Sequence, residues 1–456
     1  MTVKKWLSVL LALLMLLSLA ACGKPQQAEA EAPQQSEAAE PATAEPTAAA
    51  EAERIHLAAP QIGYTAQQIA DLRAAEEEPA GLALFYIAVS EYIAEHYPQY
   101  DVDYLDWGWA EPLDQKQRAS LVAGDPPSLV AGESFIPAYA LEGILEPLPQ
   151  DIVDSVNPNF LVYDEEERPV SVCYGASIFM LWYNKEMFRE VGVDASEGFA
   201  TWEEWKAASD AVTAQGGGEK WGGGLSLWPH VGGSLQFAPF IRQMGIDFGG
   251  GTEVNLTDPK FIETLAFARE MNRNLPAGMG TAQDTGPLYN AFEKEGKVAS
   301  MVQGNWETVT LKNTDMDWGA CPLPLPEGGK IGNCLVGAVY LGVPKAAENK
   351  EDCFNLIRVT LLKEQGLIMM NEAGRVPPNK EILADRSLYE EDPYMTMAVE
   401  EVEKGSFGGL PCFAKNDASI WEIINQQVLA GAMMNETPIE ELCTEAQKDI
   451  ELLLKQ

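Results

Sequence analysis

Basic side chains are scarce in this chain of 456 residues: 31 Lys and Arg stand against 69 Asp and Glu, a net charge of −38. A phosphate backbone would be repelled by that excess, so nucleic acid is excluded as a partner. A basic membrane-surface patch is excluded on the same ground. Histidine is scarcer still: three residues, His56, His96 and His230, none of them in H-E-x-x-H. Catalytic signatures are missing too. There is no G-x-x-x-x-G-K-[ST] for ATP and no G-x-G-x-x-G after a strand. Gly232-Gly233-Ser234-Leu235-Gln236 fails G-x-S-x-G at its last position. The seven cysteines form no C-x-x-C and no Cys/His cluster with zinc spacing, so neither a metal nor a cofactor is expected. Beyond the N-terminus no apolar run approaches the roughly 18 residues of a membrane span.

What is present begins with an address. Lys4 and Lys5 precede an apolar run from Trp6 to Leu19, then Ala20, Ala21 and Cys22, the order of a secretory signal. Leu19-Ala20-Ala21-Cys22-Gly23 resembles the bacterial lipobox, which implies cleavage before Cys22 and a lipid on its sulfur. Residues 22–53 are then the lipidated Cys and a tether of Ala, Glu, Gln, Pro and Thr, too poor in large apolar side chains to fold. As a coil it would reach roughly 30 Å. Six cysteines remain. They allow 15 pairings, and buried free thiols are an equal reading.

From residue 54 onward the apolar content, 46% overall, suffices for large cores. Ile55–Ala59 and Tyr100–Leu105 read as strands, Leu82–His96 as a helix, and Arg118–Ala123 as a helix stopped by Gly124. Ser128–Ala131 and Ile178–Tyr183 read as strands, the latter buried on both faces. Thr201 with Glu204 forms a capping box, and Asp258-Pro259 is an N-cap with Pro at the first helical position. Thr437 with Glu440 repeats the box before the last helix. Gly216–Gly218 and Gly222–Gly224 read as a mobile loop. The alternation predicts α/β layers with parallel pairing. Aromatics carry the functional lead. Trp107, Trp109, Trp228, Trp306 and Trp421 lie near Gly, Pro or polar residues, and flat indoles suit the C–H faces of sugars.

Several segments resemble the extracellular solute-binding proteins of ABC importers, in the carbohydrate branch. They are Leu121–Val130, Gly143–Leu148, Leu181–Phe188 with Thr201–Trp205, Phe292–Trp306, and Gly374–Asn379. The resemblance implies an α/β fold of two discontinuous lobes that close on a ligand like a Venus flytrap. Residues 54–174 plus about 336–381 would form lobe 1, and 175–335 plus about 382–456 lobe 2. Crossovers would fall near 174–177, 334–338 and 380–386. Tyr64–Pro79 makes the first loop longer than is usual in the family.

By that resemblance Trp306 and Trp421 would stack on sugar, and Trp228 would line the cleft. Glu133 would bind hydroxyls. Asp106, Trp107 and Glu111 would face the cleft, and Arg375 would reach it or form a structural salt bridge. The implied protein is an extracytoplasmic lipoprotein, monomeric, held to the cell membrane by the lipid on Cys22. It would deliver a carbohydrate to ABC permease subunits served by a separate ATPase, without chemistry of its own. Three rivals stand beside it. A polyamine or other cationic cargo would explain the acidity. A tethered glycoside hydrolase would need two carboxyls roughly 5–9.5 Å apart. A sensor subunit would hand occupancy to a receptor.

Overall fold

The computed structural model describes residues 54–75, 79–109, 111–283, 286–404, 408–434 and 436–456. The signal, Cys22 and the tether lie outside the described residues.

The chain opens with β1 (Ile55–Pro60), α1 (Ala66–Ala74), α2 (Leu82–His96) and β2 (Tyr100–Leu105). β1 and β2 pair in parallel, Ile55 opposite Tyr100 through Pro60 opposite Leu105. The long first loop therefore holds a helix. Thr65 and Gln68 close a capping box at the start of α1, which satisfies two of its free N–H groups. α3 (Glu111–Ala123) begins about two turns before the Arg118 start read from the sequence and stops at Gly124, φ +76°. β3 (Val130–Gly132), β4 (Leu161–Tyr163) and β5 (Pro169–Cys173) follow. The second sheet grows around β6 (Ser177–Asn184), buried along all but its last residue.

After β6 come α4 (Trp202–Gln215), capped by Thr201 and Glu204, and α5 (Val231–Gln243). The hairpin β7 (Gly249–Gly250) and β8 (Glu253–Val254) precedes α6 (Pro259–Asn272), N-capped by Asp258. Then come α7 (Gly286–Glu293), β9 (Ser300–Gly304), α8 (Glu307–Leu311), β10 (Trp318–Cys321), β11 (Leu335–Val336) and β12 (Tyr340–Gly342). Near the C-terminus lie α9 (Asp417–Glu422) and α10 (Ile439–Lys455). The N-cap of α10 is Pro438, without a side-chain bond. The Thr437 box is thus corrected: the helix starts one residue too late for that hydroxyl.

The lobes are mixed α/β, each built on a sheet. In lobe 1 the order is β3-β12-β5-β4. The β1–β2 pair joins its β3 side through Ser128 N–H, which donates to the Ala58 carbonyl at 2.8 Å. In lobe 2, β6 pairs β10, β11 and β9. Parallel pairing holds for β1–β2, two of the strands it was read from, and fails in the other ladders. Apart from β1–β2, these ladders are antiparallel. The parallel rule needs a helical crossover within one sheet. Here β5 runs into β6, and β11 into β12, through three residues that pass between sheets. One apolar core fills lobe 1 around Leu57, Phe85 and Leu341. A second fills lobe 2 around Trp205, Phe240 and Phe261. A third, with Ile178, Trp182, Ala338 and Val376, bridges the junction. All six described cysteines are buried and free.

The second glycine triplet is not a mobile loop. Gly222, Gly223 and Gly224 are buried, and Trp221 and Gly224 bridge to Val298 and Met301. A Cβ on Gly223 would lie 1.9 Å from the Ser300 carbonyl oxygen, and its φ is +94°. Glycine is needed there because two backbones touch. Gly223→Ala should therefore cost about 2–4 kcal/mol, read as a lower denaturation midpoint. A change within about 0.5 kcal/mol would contradict this packing.

Candidate functional site

The two lobes meet where three chain segments pass each other: Tyr174–Ala176, Gly337–Val339 and Gly374–Val376. Ala176 bridges to Val376. Asn305, directly after β9, fastens this crossing. Its Oδ1 accepts from Ile178 N–H at 2.9 Å and its Nδ2 donates to the Gly374 carbonyl at 2.6 Å. Because Asn305 is fixed, so is the next residue, Trp306.

The Trp306 indole lies against glycine. A Cβ on Gly304 would meet the ring at 2.2 Å, and one on Gly337 at 3.1 Å. Gly337 and Gly374 both have positive φ, +61° and +62°, so the backbone approaches the ring with no side chain between. The indole remains partly exposed. The Arg375 guanidinium carbon sits 5.7 Å from the ring centroid, within cation–π range. Arg375 Nη1 donates to the Gly337 carbonyl. The structural salt bridge expected for Arg375 is absent: among the described residues no carboxylate lies within 4.0 Å of it.

Glu133, just after β3, completes the group. Its Oε1 accepts from Ala338 N–H at 3.3 Å. Burial pushes its carboxyl up to about 7, against the pull of the Ala338 and Gly337 N–H groups and the Arg375 charge. Glu133 thus grips the crossover peptide that Arg375 grips from its carbonyl side. Two phenols border the site. Tyr86 and Tyr174 oxygens lie 3.1 Å apart, and Tyr174 O–H donates to the Gln61 carbonyl at 2.9 Å. Gln61 holds a left-handed φ of +59°. Tyr86, Tyr174, Gln61 and Asn305 carried no signal of their own in the sequence. Only the crossing brings them together.

The other candidates are placed more widely. Trp421, on α9, is partly exposed and packs edgewise on Phe248 at 5.1 Å and tilted against Phe413 at 5.6 Å. Asp417 on the same helix is bonded to it and feels Arg118 and Glu142 of lobe 1. Trp228 is 4% exposed and stacks on His230 at 5.7 Å. It offers little open face, and its Nε1 has no partner. His230 caps α5, its Nδ1 accepting from Gly232 N–H at 3.2 Å. Asp106, exposed, and Trp107, half-buried, lie on the loop after β2, and Glu111, exposed, opens α3. A groove of about 600 Å³ between α1, α2 and β2, lined by Tyr64, Ile69, Arg73 and Tyr104, lies apart from Trp306. No group of three metal-ligating side chains occurs among the described residues.

Glu307 follows Trp306 at the start of α8. It is 2% exposed, and its Oε1 has no partner. Burial, then the neighbouring Glu293 carboxyl bonded to it, raises its pKa to about 8. Such a pair shares a proton. The folded state then holds protons that the unfolded chain releases near 4.5. This stabilisation is complete below about 4.5 and is lost as pH rises through about 8. Glu307→Gln should therefore leave the melting temperature at pH 5 nearly unchanged and raise stability at pH 9 by roughly 1–3 kcal/mol. Parallel pH curves for the two proteins would refute the shared proton.

A family model described as bacterial extracellular solute-binding protein matches residues 75–359. A maltooligosaccharide ABC transporter solute-binding lipoprotein of Streptococcus pneumoniae is 22% identical over 129 residues, 28% of this chain and 30% of that one. An arabinooligosaccharide-binding protein of Halalkalibacterium halodurans is 25% identical over 310 residues, 62% of this chain and 65% of its own length. The chain thus matches less than two thirds of the length of these relatives. The GacH receptor of Streptomyces glaucescens, solved unliganded and with acarbose, superposes with a TM-score of 0.69 at 19% identity. That match covers 88% of this chain and 98% of that one. It shares the two-lobe fold.

Proposed function

Because the chain belongs to the family of bacterial extracellular solute-binding proteins, we propose that it captures a mono- or oligosaccharide between its lobes and delivers it to an ABC permease. The observation that carries this reading is Trp306: a partly exposed indole on a glycine floor, beside Arg375, at the junction of the lobes. An apolar plate with few directed polar groups is what a sugar ring requires. The relatives named for binding maltooligosaccharide and arabinooligosaccharide support the same class of cargo. Trp421 would be a second plate farther along the cleft. A cationic cargo is disfavoured, because Arg375 would repel it and Glu133 is already engaged by the crossover peptide.

The mechanism is hinge closure. The lobes, 54–174 plus about 336–381 and 175–335 plus about 382–456, would turn about the crossing segments, where Gly337 lacks a side chain. Sugar touching both lobes favours the closed form, and only by its differential affinity for the two forms. No group here needs to do chemistry. ATP would be hydrolysed by a separate partner of the permease. The protein would act as a monomer outside the cytoplasmic membrane, held by a lipid on Cys22. The Leu19–Gly23 sequence supports that anchor.

A thermal-shift screen over neutral and charged sugars, polyamines and peptides tests this, since any native-state ligand raises the melting temperature. Trp306→Ala should leave the unliganded protein folded and weaken the best ligand by about 30-fold or more, the loss of roughly 2 kcal/mol typical of an aromatic anchor. An unchanged shift in the variant would remove Trp306 from the site.

A further inference from the structure

Arginine in this protein is almost always matched to a carboxylate. Of the eleven described arginines, nine have a carboxylate oxygen within 4.0 Å. Arg269 instead donates to the Ala432 and Thr437 carbonyls at 2.7 and 2.8 Å. Arg375 differs from both groups. It is half-buried, it makes one bond to one carbonyl, and it lies at the lobe junction beside the partly exposed indole of Trp306. In a chain with 69 acidic side chains, a carboxylate partner for it would be easy to place, yet among the described residues none lies within 4.0 Å of it.

The polar surroundings keep that guanidinium available. Glu133 is the acid that feels Arg375, yet its carboxyl is turned to the Ala338 N–H. The Tyr86 and Tyr174 phenols bond each other and Gln61. The planar fork of Arg375 keeps donors that none of these groups takes. Such a fork matches the paired oxygens of a carboxylate or phosphate.

We propose that the cargo is a sugar bearing an anionic oxygen group, carboxylate or phosphate, which Arg375 binds while the sugar ring lies on Trp306. The inference rests on the sugar-capture reading above and narrows it. The net negative charge of the protein does not oppose this. At physiological salt, charges beyond about 8 Å are screened, so the local guanidinium decides.

The test is calorimetry of the full chain with matched pairs at 0.15 M salt: cellobiose against cellobiouronic acid, and maltose against maltose 1-phosphate. One anionic member should bind at least about 10-fold tighter than its neutral partner, the range of a charge-assisted bond. Which one does so identifies the anion as carboxylate or phosphate. Raising the salt should weaken only that member. In Arg375→Gln the anionic-to-neutral affinity ratio should collapse toward one. Should that variant fold poorly, the wild-type ratio and its salt dependence stand as the readout. Equal or tighter binding of both neutral sugars would overturn the anionic cargo and leave sugar capture intact. Heat with spermidine and with none of the four sugars would overturn sugar capture itself.

Discussion

The packing of Gly374–Val376 against two segments that pass between the sheets, Tyr174–Ala176 and Gly337–Val339, is the constraint on which the rest depends. Each lobe is discontinuous, so no lobe can be completed until the chain has left it and returned. Asn305 holds two of those segments with one amide, spanning Ile178 and Gly374. Glu133 and Arg375 hold the third from its N–H and carbonyl sides. A buried amide with both ends bonded stabilises this arrangement, while one left half-bonded would cost the full desolvation of the free end. Under the proposed function, the site and the hinge would be the same few residues.

That coincidence would link binding to motion without a separate relay. A ligand on Trp306 would touch the residue next to Asn305, and a ligand on Arg375 would touch the residue that grips Gly337. Cargo contacts would then fall directly on the segments proposed to rotate. The glycines are part of the same design. Gly337 and Gly374 occupy left-handed backbone and leave room for the indole, so their conformation and their lack of a side chain serve one purpose.

The sequence carried the local half of this structure well. β6 was legible as a fully buried strand, and the α4 cap followed from Thr201 and Glu204. Trp306 was legible as an indole set among Gly, Asn and Glu. What failed was non-local. Strand direction depends on which sheet the preceding segment left, and no window of residues contains that. Gly222–Gly224 looked like slack because a glycine that avoids a distant backbone is spelled like one in a loop. Arg375 was read as reaching the cleft or forming a structural salt bridge; its separation from carboxylates exists only in three dimensions. Thr65 with Gln68 was a signal of the kind that found α4, and the long loop containing it obscured it.

The six free cysteines carry a different consequence. Burial lifts their thiols to between about 11 and about 12, so almost none is thiolate near neutrality, and the thiolate is the reactive species. A family of extracellular proteins works where oxidants are common. In this chain the folded core is the protection, in place of crosslinks. A disulfide found in the mature protein would mark a molecule that had opened far enough to expose two of these residues, and would serve as a chemical record of that event.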